Sequence, residues 1–386
     1  MNAALLDDAA VVERLFDHID RGSTDVSEGV WREPVAHYLS PVRYAAELAL
    51  LRTGPTAFCP SAALPEPGSY VARTAVGTPI LAVRGADGTV RAFRNACRHR
   101  GARLADGSGC EKAFVCRYHG WTYGLDGALR HVPHEDGFPG LDAASRGLVP
   151  LPTVETRGLV FVTQGAARPG ATALDDLPPL LPPGRVLVQA TEQELPVNWK
   201  VFVESFLEGY HIRSTHRTTF YPVQFDNLNV VERFGENSRV TFPYRALHKL
   251  RPLPAAERSV EGKLTYVYHL FPNVMIATFP HFVFMIAIEP LAIDRTRFHT
   301  WITAPAPAAD GGSAGPRVRT TSAEGAALIA TAALEDNAAT IAVQEGLASG
   351  ANEFLEFGRF EGAIGHFHRT LRAALAARGT PPEASA

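Results

Sequence analysis

Two short loops, each offering one cysteine and one histidine, constrain this 386-residue chain more than anything else in it. They are Cys97-Arg98-His99 in CRHRG (97–101) and Cys116-Arg117-Tyr118-His119 in CRYHGW (116–121), with sixteen residues between His99 and Cys116. Four donors that divide into two thiolates and two imidazoles match a two-iron cluster in which one iron takes the thiolates and the other the imidazoles. Structural zinc is the alternative, but it more often uses Cys-X2-Cys and His-X3-His pairs. Gly101 and Gly120 follow the two loops, where tight turns let backbone amides approach sulfur.

The spacing therefore predicts a Rieske-type [2Fe–2S] cluster on Cys97, His99, Cys116 and His119. Neutral imidazoles remove negative charge relative to all-thiolate ligation, so the potential should lie above that of plant-type ferredoxins. The other two cysteines, Cys59 and Cys110, have no histidine at ligand spacing and read as small core residues. The start, MNAALLDDAAVV, lacks a basic n-region, and the longest apolar stretch, 282–288, is too short to span a bilayer. A cytoplasmic protein is expected, with thiols serving metal rather than disulfides. A formal charge of −3 with scattered arginines gives no electrostatic reason to expect nucleic acid or an anionic membrane as partner.

Texture changes along the chain. Residues 7–20 place Val11, Val12, Leu15, Phe16 and Ile19 at helical spacing, and 1–50 reads as a helical entry segment. From about 54 to 165, short runs such as YVARTAV, PILAVR, TVRAF, AFVC and LVFVT alternate with glycine turns, which predicts an all-β domain over 51–166. PPLLPPG at 178–184 marks a linker. Residues 185–386 are mixed: a helical NWKVFVESFLEGYH, strand-like runs over 238–303, a loop at 305–316, and helices over 322–347 and 362–378. Antiparallel strands with segregated helices make an α+β domain.

A second constellation lies in NWKVFVESFLEGYHIRSTH, 198–216. Glu208 and His211 stand three apart, on one face of a helix. His216, five beyond His211, would point roughly 140° away on an unbroken helix, so unwinding is expected at Ser214–Thr215. Two histidines and one carboxylate with open positions form the facial triad of non-heme Fe(II) oxygenases. Asp336, on the predicted helix 322–347, is the chosen carboxylate and Glu335 its immediate rival.

At these residues the chain resembles the alpha subunit of Rieske non-heme iron ring-hydroxylating oxygenases. The resemblance runs from about residue 50 to 370, through AFRNACRHRGARL, FVCRYHGWTYGLDGAL, NWKVFVESFLEGYHIRSTH and the segment at 335–347. It implies a helix-grip (START/Bet v1-like) second domain and a mononuclear Fe(II) on His211, His216 and Asp336. It also implies a carboxylate at Glu208 that bridges this iron to a neighbouring subunit's cluster within a homotrimer. Many members carry Asp there, and Glu is one methylene longer. Members with Glu include oxidisers of quaternary amines. Asn198 matches a family position close to the iron. The implied activity is that of a terminal oxygenase: hydroxylation, single or double, of an aromatic or alicyclic molecule, or oxidative demethylation of an amine. The chain has no GXGXXG loop and no Cys-X4-Cys-X2-Cys spacing, so electrons should come from a separate NAD(P)H reductase, with or without a ferredoxin. Phe220, Tyr221, Phe225, Tyr266, Tyr268, Phe282 and Phe284 are the pocket candidates, each of which would otherwise be core.

Overall fold

The computed structural model describes residues 4–166, 173–306 and 316–379, so most of the expected loop at 305–316 lies outside the described residues. The chain divides into two units. One comprises Leu51–Gly170 with Pro179–Leu187; the other comprises Met1–Leu50, Ala171–Pro178 and Val188–Ala386. The entry segment thus folds as part of the second unit.

The first unit is built from antiparallel sheets. Five strands lie in the order Pro150–Leu151, Val90–Arg94, Thr78–Arg84, Ser69–Ala75, Gly107–Cys110. Ile80, Leu81, Ala82 and Val83 of the central strand are all fully buried, as expected of a run without polar alternation. Cys59 is buried as expected, but Cys110 is exposed. It sits on an edge strand whose four residues are all exposed, so the core reading of Cys110 is corrected. A small three-stranded sheet, Phe114–Val115, Thr122–Tyr123 and Leu129–His131, carries the second Cys/His loop between its first two strands.

The second unit begins with helix α1 (Asp8–Arg21), close to the predicted span. Asp7 caps it by accepting from the Ala10 amide at 2.8 Å, and Gly22 ends it in the left-handed region at φ 59°. Two further helices follow, α2 (Ala36–Leu39) and α3 (Pro41–Leu51). A seven-stranded sheet then runs in the order Arg185–Leu195, Arg295–Pro305, Val283–Ala292, Val274–Thr278, Leu264–Leu270, Asn237–Pro243, Val230–Phe234. Its helices are α4 (Trp199–Ser205), α5 (Ile212–Thr215), the long α6 (Pro316–Ala348) and α7 (Gly362–Ala376). Trp199, Phe202 and Val203 of α4 join Ile364, Phe367, Leu371 and Leu375 of α7 and the sheet's apolar face in one core. This is the antiparallel helix-grip arrangement. Among the described residues no helix is long and apolar enough to cross a membrane.

The second unit also buries charge. Lys200 Nζ donates to Glu47 Oε2 at 2.8 Å, and Trp199 Nε1 donates to the same oxygen at 2.9 Å. Arg43 Nε reaches Glu47 Oε1 at 3.0 Å. One turn along α4, Glu204 accepts from Tyr38 Oη at 2.6 Å and lies 2.8 Å from His368 Nε2. Burial drives the Lys200 pKa down, and Glu47 opposes that shift. Two anchors therefore fix α4 against α2, α3 and α7.

Replacing Glu47 by Ala removes the carboxylate bonded to Lys200, while Arg43 keeps Glu33 at 3.6 Å, and truncating one member of a buried pair costs about 3–5 kcal/mol. Glu356→Ala breaks the exposed pair with Arg32 (2.9 Å) and should cost under about 1 kcal/mol. Urea unfolding of both variants checks the ranking; equal losses contradict it.

Candidate functional site

Each Cys/His loop is closed by the same pair of backbone bonds. The Gly101 amide donates to Cys97 O and the Cys97 amide to Ala102 O, both at 2.8 Å; Gly120 to Cys116 O and Cys116 to Trp121 O repeat the pattern at 2.8 Å. Gly120 has φ 74°, and a Cβ there would lie 2.9 Å from Pro133 Cγ. Cys97 and Cys116 are buried, and the His99 and His119 ring centroids are 4.7 Å apart. Trp121 stacks on His99 at 5.0 Å and Phe138 meets its edge. Burial, then the neighbouring His119, hold the His99 pKa below its ordinary value. The buried His99 Nδ1 has no hydrogen-bond partner. An unpartnered imidazole nitrogen beside two buried thiols is what a two-thiolate, two-imidazole cluster requires.

Tyr123 adds a contact the sequence did not single out. Its hydroxyl oxygen accepts from the Arg98 amide at 2.9 Å and lies 3.3 Å from Cys97 Sγ. With the oxygen already accepting, its proton is free for the sulfur.

In the second unit α4 stops at Ser205, earlier than the predicted helix through His211. Past the stop, Glu208 keeps the helix from resuming before His211: its Oε2 accepts from the Tyr210 amide and, at 3.1 Å, from the His211 amide. Its other oxygen holds His211 Nδ1. The expected unwinding at Ser214–Thr215 is corrected. Those residues lie in α5, and His211 and His216 flank that single turn, with His216 leaving helical geometry at φ −98°, ψ 39°. The angular mismatch is thus removed at the ends of the turn.

The three candidate ligands converge. His216 Nε2 lies 3.0 Å and His211 Nε2 3.7 Å from Asp336 Oδ1, and all three donor atoms fall within 4.8 Å of one another. Glu335 occupies the opposite side. Its Oε2 is 2.8 Å from His216 Nδ1 and accepts from Thr219 Oγ1 at 2.6 Å. Both imidazoles thus turn Nε2 toward Asp336 and Nδ1 toward another carboxylate. Burial works against protonation of His211, but Glu208 and then Asp336 outweigh it and raise its pKa. Two imidazoles and a carboxylate facing one point fit a divalent iron with open positions.

Glu208, His211, His216 and Asp336 all line a cavity of about 640 Å³. Phe220, Phe282 and Phe284 line it as expected; Tyr221, Phe225, Tyr266 and Tyr268 are not among its lining residues. Tyr266 Oη donates to Asp8 at 2.7 Å, and the Tyr266 and Tyr268 rings receive the Arg239 guanidinium. Arg245 lies over Tyr221 and Phe225. Phe202, Phe206, Phe279 and Phe298 line the cavity instead and were missed. Phe298 and Thr300 follow the two-residue strand period, which was the available signal. Asn198 is fully buried and absent from the lining. Its side chain caps α4 through the Lys200 amide and donates to Tyr38 O and Ile293 O at 3.0 and 2.7 Å, so a structural role replaces the expected catalytic one.

Removing the Tyr123 hydroxyl with Phe should lower the cluster's reduction potential, since a donor to sulfur favours the more negative reduced state. A tenfold change in the reduction equilibrium corresponds to about 59 mV for one electron. Spectroelectrochemistry measures it, and an unchanged potential refutes the contact. Glu335→Gln should weaken iron binding by about 10–100-fold, as expected of a carboxylate behind a ligand histidine; titrating metal into the metal-free protein tests this.

A model of the ring-hydroxylating alpha subunit catalytic domain matches residues 185–377, and a Rieske [2Fe–2S] domain model matches 54–152. The carnitine monooxygenase oxygenase subunit of Acinetobacter pittii is 35% identical over 176 residues, 42% of this chain and 46% of that protein. The chain thus spans about half the length of that relative. The corresponding Escherichia coli subunit is 29% identical over 62% of this chain and 71% of its own. Among solved structures, a quaternary ammonium Rieske monooxygenase superposes with a TM-score of 0.71 at 22% identity, covering 98% of this chain and 99% of that one. Naphthalene 1,2-dioxygenase from Rhodococcus sp. gives 0.72 at 16% identity, covering 98% and 100%. At such identities these two show the fold. With both domain models matched in order, the chain belongs to the ring-hydroxylating oxygenase alpha subunits, which join a Rieske [2Fe–2S] domain to a catalytic domain carrying a mononuclear iron.

Proposed function

We propose that this chain is the terminal oxygenase component of a multicomponent system that oxidises a small organic molecule with O₂. Its electrons come from a separate NAD(P)H reductase, with or without a ferredoxin between them. The substrate is an aromatic or alicyclic molecule that is hydroxylated once or twice, or an amine that is oxidatively demethylated. The names of the curated relatives favour the amine, and the phenylalanine-rich cavity favours the ring. The observation that carries the reading is the convergence of His211, His216 and Asp336 on one point of a cavity wall.

Cys97, His99, Cys116 and His119 would hold the cluster; His211, His216 and Asp336 would hold the mononuclear iron. When bound, the cluster supplies electrons singly and the iron supplies the centre at which O₂ is activated. The chain's own groups do the rest. Glu208 fixes the His211 tautomer by accepting a hydrogen bond from Nδ1–H, leaving Nε2 unprotonated for a metal. Glu335 does the same for His216. The cavity walls orient the substrate and exclude water. In a homotrimer Glu208 would also meet a cluster histidine of the neighbouring subunit, coupling electron arrival to proton position.

The test combines analysis and turnover. The full chain should contain about three irons and two acid-labile sulfides. With a surrogate reductase it should take up O₂ in step with NADH and an added substrate, with oxygen found in the product. Cluster iron alone, with no O₂ uptake, would leave an electron carrier. Glu208→Gln should retain both metals yet slow electron transfer by about 10–100-fold, read as cluster oxidation in stopped flow. Full turnover in that variant would remove its bridging role.

A further inference from the structure

The cavity lining has a polarity pattern that the metal site does not explain. Its metal-facing wall carries two carboxylates, Asp336 and Glu208, and a third, Glu335, stands behind His216. His281, which is exposed, is the one other ionisable side chain on the wall besides His211 and His216, among the described residues. The bulk of the wall is apolar, and every aromatic carbocycle on it among the described residues is a phenylalanine. Phe202 and Phe298 rings lie 3.9 Å apart, and Phe206, Phe284 and Phe279 continue the surface. Polar groups gather on the sheet's edge instead. Gln189, Thr191 and Gln193 fall on one face of the edge strand Arg185–Leu195 by the two-residue period, and Thr300 lines the cavity from the adjacent strand.

We propose that this cavity is built for an uncharged, largely apolar molecule with one non-ionised hydrogen-bonding end, an amide, hydroxyl or carbonyl, seated at Gln189, Thr191 and Gln193. The inference rests on reading His211, His216 and Asp336 as the ion-holding wall of the same cavity. Three arguments carry it. Asp336 and Glu208 offset the ion and Glu335 adds a further negative charge behind His216, so the metal-facing wall offers an anion no attraction. A carboxylate at the exposed Gln189, Thr191 and Gln193 end would meet amides and hydroxyls rather than a cation, and would gain little over its hydration in water. A quaternary ammonium would have only phenylalanine faces, which offer a weaker cation–π surface than tryptophan. The size agrees: 640 Å³ corresponds to roughly twenty water molecules at about 30 Å³ each, well beyond a choline-sized ion.

Four probes on one body separate the possibilities: 2-methylnaphthalene, 2-naphthylacetamide, 2-naphthylacetate and (2-naphthylmethyl)trimethylammonium, with carnitine as a fifth. Binding is measured by calorimetry on the full, metal-loaded chain without reductase or O₂. The amide should bind at least tenfold tighter than either ion and tighter than the hydrocarbon. Gln193→Leu, with Gln189→Leu as a second variant, should lower amide affinity to the hydrocarbon's level while leaving hydrocarbon binding unchanged. Equal or tighter binding of an ionic probe or carnitine overturns the proposal, as does failure of both amide and hydrocarbon to bind. Reductase-coupled O₂ uptake is then read with each probe. Uptake with an ionic probe alone rejects the proposal and keeps the oxygenase reading. The expected binding order with no uptake by any probe keeps the proposal and rejects that reading.

Discussion

Keeping three donor atoms within 4.8 Å of one another is the constraint on which the second unit depends. Two imidazoles and a carboxylate brought together without an ion are not self-stabilising, because nothing in the trio fixes which ring nitrogen faces inward. The chain settles this from outside the trio. Glu208 takes one Nδ1 and Glu335 takes the other, so both Nε2 atoms turn toward Asp336. The carboxylates differ in origin: one lies three residues before its histidine in sequence, the other adjoins Asp336 on α6. Ligand and orienting group are thereby shared between two segments, and each segment holds the other's histidine or carboxylate in place.

That arrangement requires α4 and α6 to keep their spacing. Gln344, two turns beyond Asp336 on α6, accepts from the Asn198 amide at the start of α4 at 2.7 Å. Asn198 is committed on its other side to Tyr38 O and Ile293 O. The buried Lys200–Glu47 and Glu204–His368 contacts then tie α4 to α3 and α7. Buried ion pairs are poor sources of net stability, but they punish displacement severely. A helix that must present the next loop to within tenths of an ångström is a place where that penalty is useful. This accounts for the concentration of buried charge on a seven-residue helix whose other face is already well packed.

Much of this was legible before any coordinates. The Cys/His loops were readable because ligand spacing is set by bond lengths and tight turns, and the glycines after them mark those turns. The helices at 8–21 and 362–376 followed apolar spacing. The metal loop was half legible. Spacing identified the residues, but periodicity carried the helix through to His211, whereas it ends at Ser205 and Glu208 takes the next backbone amides. Asp336 was chosen over Glu335 on the resemblance, since adjacent residues on a helix differ only in direction, and the geometry puts Asp336 with the two histidines. Asn198, matched to a family position close to the iron, caps α4 instead of lining the cavity, a difference that a string of letters does not carry. The pocket was least legible. Val283–Ala292 and Leu264–Leu270 are buried on both faces, so alternation vanishes where it would have told cavity from core.

The fold comparison and the cavity point in different directions, and the difference has a physical basis. The fold is shared with proteins whose names range from quaternary ammonium to naphthalene oxygenases. A donor set of two imidazoles and a carboxylate answers to the metal and not to what is oxidised. The remaining walls come from strand faces and from α6, positions that can change side chain without moving a ligand. Gln189 and Gln193 illustrate the freedom. They lie on an edge strand, exposed, and their nearest packing demand is the sheet's hydrogen-bond ladder on one side only. Substrate chemistry therefore resides in the part of the unit least constrained by the iron, and it has to be read from that wall rather than from the ligands.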